Sequence, residues 1–149
     1  MLVKDLCNPD VVCCEPQTLV KDAARLMRTK HVGDLVVVND LEGDRLPIGV
    51  ITDRDLTVDV LGNGRDASTT VVAELVRQPV VIAKEDEDSS QVLERMRVHG
   101  VRRVPVVNQS GATVGVVTLD DLLHLFVDEA KGLLEVISIG QNRERHARR

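Results

Sequence analysis

The stretch Gly49-Val50-Ile51-Thr52-Asp53-Arg54-Asp55-Leu56 has a counterpart later in the chain, Gly115-Val116-Val117-Thr118-Leu119-Asp120-Asp121-Leu122. Each reads as a short apolar strand that turns, at a threonine, into a helix opening with acids. Working outward, the match extends through both halves. Val3-Lys4-Asp5-Leu6 falls on Val72-Ala73-Glu74-Leu75, Val11-Val12 on Val80-Val81, Met27-Arg28 on Met96-Arg97, and Val37-Val38-Asn39 on Val106-Val107-Asn108. One constant offset serves all of these, and a three-residue adjustment in a loop brings in the Gly49 and Gly115 stretches. The repeat is weakest where Thr18-Leu19 meets Glu87-Asp88. Self-similarity of this kind means two copies of one supersecondary unit.

Within the first copy the periodicity alternates. Val11 to Cys13 is a short β-branched run that suits a strand. Thr18 to Thr29 predicts a helix, with Leu19, Ala23, Leu26 and Met27 on one face and Thr18 as a cap. Leu35 to Val38 is unbroken apolar sequence, which fits a buried strand. The polar loop Asn39 to Pro47 leads to a strand over Ile48 to Ile51, and the short connection predicts a hairpin. The second copy places strands near Val80–Ile82, Val104–Val107 and Thr113–Val117, and helices near Ser90–His99 and Leu119–Ala130. Gly62-Asn63-Gly64 marks the break, and a short helix over Thr70 to Val76 leads into the second copy.

The expected fold is therefore α/β (α+β): two tandem β-α-β-β-α repeats, residues 1–62 and 72–130, joined by a linker at 63–71 and followed by an extension at 131–149. Half a chain with one thin sheet has little core of its own. The two sheets are expected to pack face to face about a pseudo-twofold axis, leaving two related clefts at the seam, where ligand pockets tend to form.

Composition narrows the function. The chain has 149 residues, 43% of them hydrophobic, and a net charge of −5. That supports a packed core and disfavours polyanion binding, which needs a broad basic face. With one Phe and no Trp or Tyr, stacking platforms for single-stranded nucleic acid are lacking. No apolar run approaches a membrane span. Lys4 and Asp5 interrupt what would be the apolar region of a signal peptide, so a cytoplasmic location is expected. Cys7, Cys13 and Cys14 are an odd set with no disulfide or zinc spacing, in keeping with a reducing compartment. No nucleophile–base pair or Gly-rich loop before a lysine suggests an enzyme.

The Thr-x-x-Asp turns, Thr52/Asp55 and Thr118/Asp121, carry two readings. Hydroxyl, carboxylate and free backbone N–H groups at a helix start can converge on a sugar-phosphate. The same spacing is also a capping box, which satisfies the helix's own donors. Both remain open on the residues alone.

The tandem repeat, the Gly-apolar-apolar-Thr-x-x-Asp endings and the segment Val101-Arg102-Arg103-Val104-Pro105-Val106-Val107 together resemble the CBS-domain (Bateman module) family, over about Leu2 to Val127. The resemblance implies a regulatory module that binds an adenine nucleotide or adenosyl ligand (AMP, ADP, ATP, NAD or S-adenosylmethionine), requires no cofactor, and often forms homodimers. It implies that Thr52 and Asp55 contact ribose and phosphate in one cleft and Thr118 and Asp121 in the other. Val12 and Val81 would line the adenine pockets, and Arg102 and Arg103 would face phosphate. The first repeat departs from this pattern: Gly33 and Asp34 stand where the second has Arg102 and Arg103, so the clefts should differ, one of them empty or suited to a less charged ligand. With no effector domain in this sequence, output is expected in trans, through a partner protein or oligomer state. The rival expectation is a structural or interaction module without a small-molecule ligand.

The remaining features read more plainly. Cys13 and Cys14 should point to opposite faces of their strand, as one core thiol and one cleft-facing or surface thiol. His31, His99, His124 and His146 form no metal or triad pattern. Glu85 to Asp88 is expected to be a solvated acidic loop. Leu133, Leu134, Val136 and Ile137 are expected to close the core as a terminal helix or to join a dimer contact, and the Arg143–Arg149 tail to be disordered.

Overall fold

The computed structural model describes residues 1–148. Two three-stranded sheets form, each with one parallel and one antiparallel neighbour. In the first, β1 (Cys13–Cys14) runs parallel to β2 (Asp34–Val38), which pairs antiparallel with β3 (Pro47–Thr52); helix α1 (Val20–Lys30) makes the crossover. Helix α2 (Asp53–Asp55) follows directly and runs on as a π-helical turn over Leu56–Leu61. The second sheet repeats the plan with β4 (Ala83–Lys84), α3 (Ser89–His99), β5 (Arg103–Val107) and β6 (Thr113–Thr118), then α4 (Leu119–Ala147). Even the irregularities match, since each hairpin has a register shift at its last pair, between Val37 and Val38 and between Val106 and Val107. The sheets meet through β3 and β5.

Helix α1 begins later than the sequence predicts and is capped differently. Its N-cap position is Leu19, which supplies no side-chain cap. Thr18 Oγ1 instead accepts from the Glu15 amide at 3.2 Å. The first amides of α1 donate to main-chain carbonyls of the linker, Val20 to Thr70 at 2.9 Å and Lys21 to Ala67 at 3.0 Å, so the orphan donors of the helix start are still satisfied. Helix α3 has the side-chain cap that α1 lacks, with the Asp88 carboxylate accepting from the Ser90 amide at 3.0 Å.

The two cores do not follow the two halves of the chain. Cys14, Ala23, Leu35, Val37 and Ile51 pack with Val72 and Leu75, which open the second repeat. Ala83, Val92, Val104, Val106 and Val117 pack with Val3, and with Leu6 at the margin. Each lead-in segment thus crosses to the other repeat, held by the equivalent main-chain bonds Val3 to Glu87 and Val72 to Thr18. The helix expected over Thr70–Val76 is only a single 3₁₀ turn, Val72–Glu74. Strands β1 and β4 also lie one to three residues later than Val11–Cys13 and Val80–Ile82, because Val11, Val12, Val80 and Val81 line the clefts.

The chain's end differs from expectation. Helix α4 does not stop near Ala130 but runs unbroken to Ala147. Arg143 and Arg145 are therefore helical rather than disordered, and Arg148 is the C-cap; Arg149 lies outside the described residues. Leu133, Leu134, Val136 and Ile137 are 56–70% exposed, so they do not close the core.

Candidate functional site

Both Thr-x-x-Asp turns form reciprocal caps. Thr52 Oγ1 accepts from the Asp55 amide at 3.2 Å while Asp55 Oδ2 accepts from the Thr52 amide at 2.8 Å. The Thr118/Asp121 turn repeats this at 3.2 and 2.8 Å, and the Thr118 hydroxyl also donates to Asp121 Oδ2 at 2.7 Å. The capping reading is thus realised, but it uses one carboxylate oxygen of each acid. Among the described residues, Asp121 Oδ1 makes no hydrogen bond, and Asp55 Oδ1 has only the Arg77 guanidinium at 4.0 Å. A capping box and an acceptor facing a cleft are compatible roles for one carboxylate.

The turns open onto two clefts, each built from both repeats. The larger, about 740 Å³, is lined by Thr52 and Asp55 of the first repeat and by Val81, Arg102 and Arg103 of the second. The smaller, about 170 Å³, joins Val12 of the first repeat to Thr118 and Asp121 of the second. All eight residues singled out from the sequence therefore border a cleft, divided five and three.

The residues of the small cleft each have a counterpart in the large one, and most of the charge difference comes from three exchanges. Where the large cleft has Arg77, Pro79 and Arg103, the small one has Asn8, Asp10 and Asp34. Arg54 and Arg102 also line the large cleft, and Asp53 and Asp55 offset those two in formal charge, so Arg77 and Arg103 leave it net basic. The small cleft holds three acids, Asp10, Asp34 and Asp121, and no base. Arg54, Arg77, Asn8 and Asp10 were not anticipated. The repeat offset carries the signal for Arg77 and Asp10, since each stands opposite an uncharged residue in the other copy.

Between the clefts, Arg103 Nη1 donates to Asp34 Oδ1 at 2.5 Å. Burial pushes the Asp34 carboxyl above its ordinary range; the guanidinium opposes that push and neighbouring Asp53 adds to it. Asp34 is thus partly neutralised, and it claims one arm of Arg103. The glycines of the motif stand where the lead-in segments approach the hairpins closely. A Cβ on Gly49 would overlap Val76, and one on Gly115 would stand 2.6 Å from Cys7 Sγ and 3.1 Å from the Asn8 carbonyl. They admit the crossing lead-in segments, and Gly49 also borders the large cleft.

The thiols divide as their strand alternation predicts. Cys14 is buried in the first core, and burial pushes its thiol up to about 12; Cys13 is half-buried and accepts from Arg45 Nη2 at 2.9 Å. Among the described residues, no group of three or more His, Cys, Asp or Glu is placed to hold a metal ion, and no helix is long and apolar enough to cross a membrane.

The CBS domain family matches twice in tandem, over residues 3–62 and 72–128. The chain belongs to the CBS-domain family. This CBS pair is 35% identical to the protein YlbB of Bacillus subtilis over 144 residues, covering 95% of both chains. It is 31% identical to the protein MK0525 of Methanopyrus kandleri over 123 residues, covering 83% of this chain and spanning 61% of the length of that relative. Among solved structures it is similar to the CBS domain pair of protein MJ0100 in complex with 5-methylthioadenosine and S-adenosyl-L-methionine, with a TM-score of 0.72 and 26% identity over 87% of this chain and 98% of that one.

Proposed function

We propose that this CBS pair senses an adenine nucleotide in its large cleft and passes on occupancy through conformation or oligomer state, as a homodimer, to a partner protein in trans. One observation carries the reading. The cleft's roughly 740 Å³ falls within the range of small-molecule sites, and Arg54, Arg77, Arg102 and Arg103 line it. Val81 would flank the base, Asp55 Oδ1 would accept from the ribose hydroxyls, and the arginines would meet phosphate. The adenosyl ligands of MJ0100 support the nucleoside part. The arginines favour a phosphate-bearing ligand over S-adenosylmethionine, whose sulfonium is cationic.

The small cleft, lined by Val12, Thr118 and Asp121, is below the volume a nucleoside needs and holds three acids; it suits a small neutral or cationic group. The role is regulatory rather than catalytic. Titration calorimetry of the full chain with ADP and with S-adenosylmethionine tests this. ADP should bind more tightly, and Asp55→Ala should weaken it roughly tenfold, one charge-assisted hydrogen bond being worth about 1.5–3 kcal/mol. Equal affinity for both ligands, or turnover of the nucleotide, would defeat the proposal.

A second reading has its own support, since both Thr/Asp pairs are fully formed caps. On that reading the module is structural or interactive, and no nucleotide shifts its melting temperature.

A further inference from the structure

We infer that the exposed half of α4 pairs antiparallel with the same helix of a second copy. The inference rests on the self-association proposed above but not on the ligand. From Phe126 to Ala147 every residue of α4 is exposed, a stretch of helix about 33 Å long. The family match ends at residue 128, and the CBS fold itself gives no reason for this segment.

Its sequence supplies one. Leu119, Leu123, Phe126, Ala130, Leu133, Ile137 and Gly140 recur at alternating spacings of four and three, the seam of a coiled coil. Val127 and Leu134 widen that seam on one flank and Val136 on the other, while Asp128, Lys131, Glu135, Ser138 and Asn142 face away. Leu133, Leu134 and Val136 are 65–70% exposed, a contiguous apolar stripe of the kind that marks an interaction surface.

Charge chooses the occupant and its direction. The helix is acidic early, at Asp120, Asp121, Asp128, Glu129 and Glu135 against Lys131, and basic late, at Arg143 and Arg145 with the C-cap Arg148 against Glu144. A parallel copy would set acid beside acid and base beside base. An antiparallel copy with Leu133 against Ile137 sets Ala130 against Gly140, where two small residues permit close approach. It also sets Leu134 and Val136 each against itself, and Glu129 beside Arg143 of the second copy. The globular bodies then lie at opposite ends of the paired helices. A lipid surface fits less well, because the acidic half would be repelled by anionic headgroups.

Sedimentation equilibrium of the full chain tests the pairing. Leu133→Asp with Ile137→Asp, both at exposed positions, should halve the assembly mass while leaving the thermal melt of the body in place. Glu129→Arg and Arg143→Glu should each weaken association about tenfold at low salt, and the double swap should restore it. A wild-type monomer at about 100 μM would defeat both self-association and this interface. Wild-type assembly that survives the aspartates would defeat this interface alone. Failure of the double swap to restore association would defeat the antiparallel sense, and co-sedimentation with phosphatidylserine vesicles in place of self-association would assign the stripe to membranes instead.

Discussion

Asp34 and Arg103 occupy equivalent positions of the two repeats, each opposite the capping threonine of its hairpin, and they meet across the seam as an ion pair. The two side chains are only 23% and 32% exposed. In an exact duplication, two like residues would stand here. Divergence to an acid and a base instead welds the halves where they touch and gives the two clefts opposite character.

Removing Arg103 should therefore cost stability in a pH-dependent way. Burial already raises the Asp34 carboxyl above its ordinary value of 3.8. A group raised in the folded state favours folding below its unfolded pKa, and that contribution is lost as pH rises through the folded value. Arg103→Met removes the opposing guanidinium, raises the group further and leaves a half-buried charge at neutral pH. We expect a loss of about 2 kcal/mol near pH 7 that shrinks toward pH 4. Urea melts at the two pH values check this, and adding Asp34→Asn should recover most of the neutral-pH loss.

The charge contrast between the clefts makes a prediction about salt. If the arginines meet phosphate, Arg77→Ala and Arg102→Ala should each weaken ADP binding by about tenfold, with the loss shrinking as ionic strength rises, because Arg77 is exposed and its attraction is screened. Asp10→Asn, in the small cleft, should leave ADP affinity within about twofold of wild type. Calorimetry at two salt concentrations distinguishes these outcomes.

The repeats also differ at the ends of their first helices. Both α1 and α3 stop at a left-handed residue, which is His31 (φ 56°) in one and Gly100 (φ 65°) in the other. A side chain in that conformation costs roughly 1 kcal/mol or more, a cost glycine avoids. His31→Gly should raise stability by about 0.5–1 kcal/mol, and Gly100→His should lower it by a similar amount. Thermal melts of the two single variants measure both; opposite signs in either would refute the account.

These contrasts show how much of the protein could be read in advance. The duplication gave the element order and the hairpins, because strand and helix periods survive divergence at Leu35–Val38 and Val104–Val107. It did not reveal that Val3 and Val72 trade cores. A repeat states which segments are alike and is silent on which copy each packs against. The end of α4 was misjudged for a local reason, since Gly132 and Gly140 lower helix propensity yet leave the seam intact. At the clefts, the Thr/Asp pairs stood out as motifs, whereas Arg77 and Asp10 belong to no motif and emerge only when each copy is read against the other.

The exchange of lead-in segments rests on two glycines, and the two should respond differently to rescue. Gly49→Ala drives a methyl group into Val76, and Gly115→Ala drives one into Cys7 and the Asn8 carbonyl. Each should cost about 1–3 kcal/mol as overpacking. Shortening Val76 to Ala removes the methyls in conflict and leaves its Cβ 3.2 Å away, so Gly49→Ala with Val76→Ala should recover much of the loss. Shortening Cys7 to Ala removes its sulfur, but the Asn8 carbonyl stays at 3.1 Å and is main chain, bonded to the Val116 amide. Gly115→Ala with Cys7→Ala should therefore stay less stable than its counterpart relative to the matching Val76→Ala or Cys7→Ala single variant. Denaturant melts of the two double-mutant cycles measure the difference. Equal rescue on both sides would mean that the lead-in backbone yields freely, and that the glycines are not what holds the exchange in place.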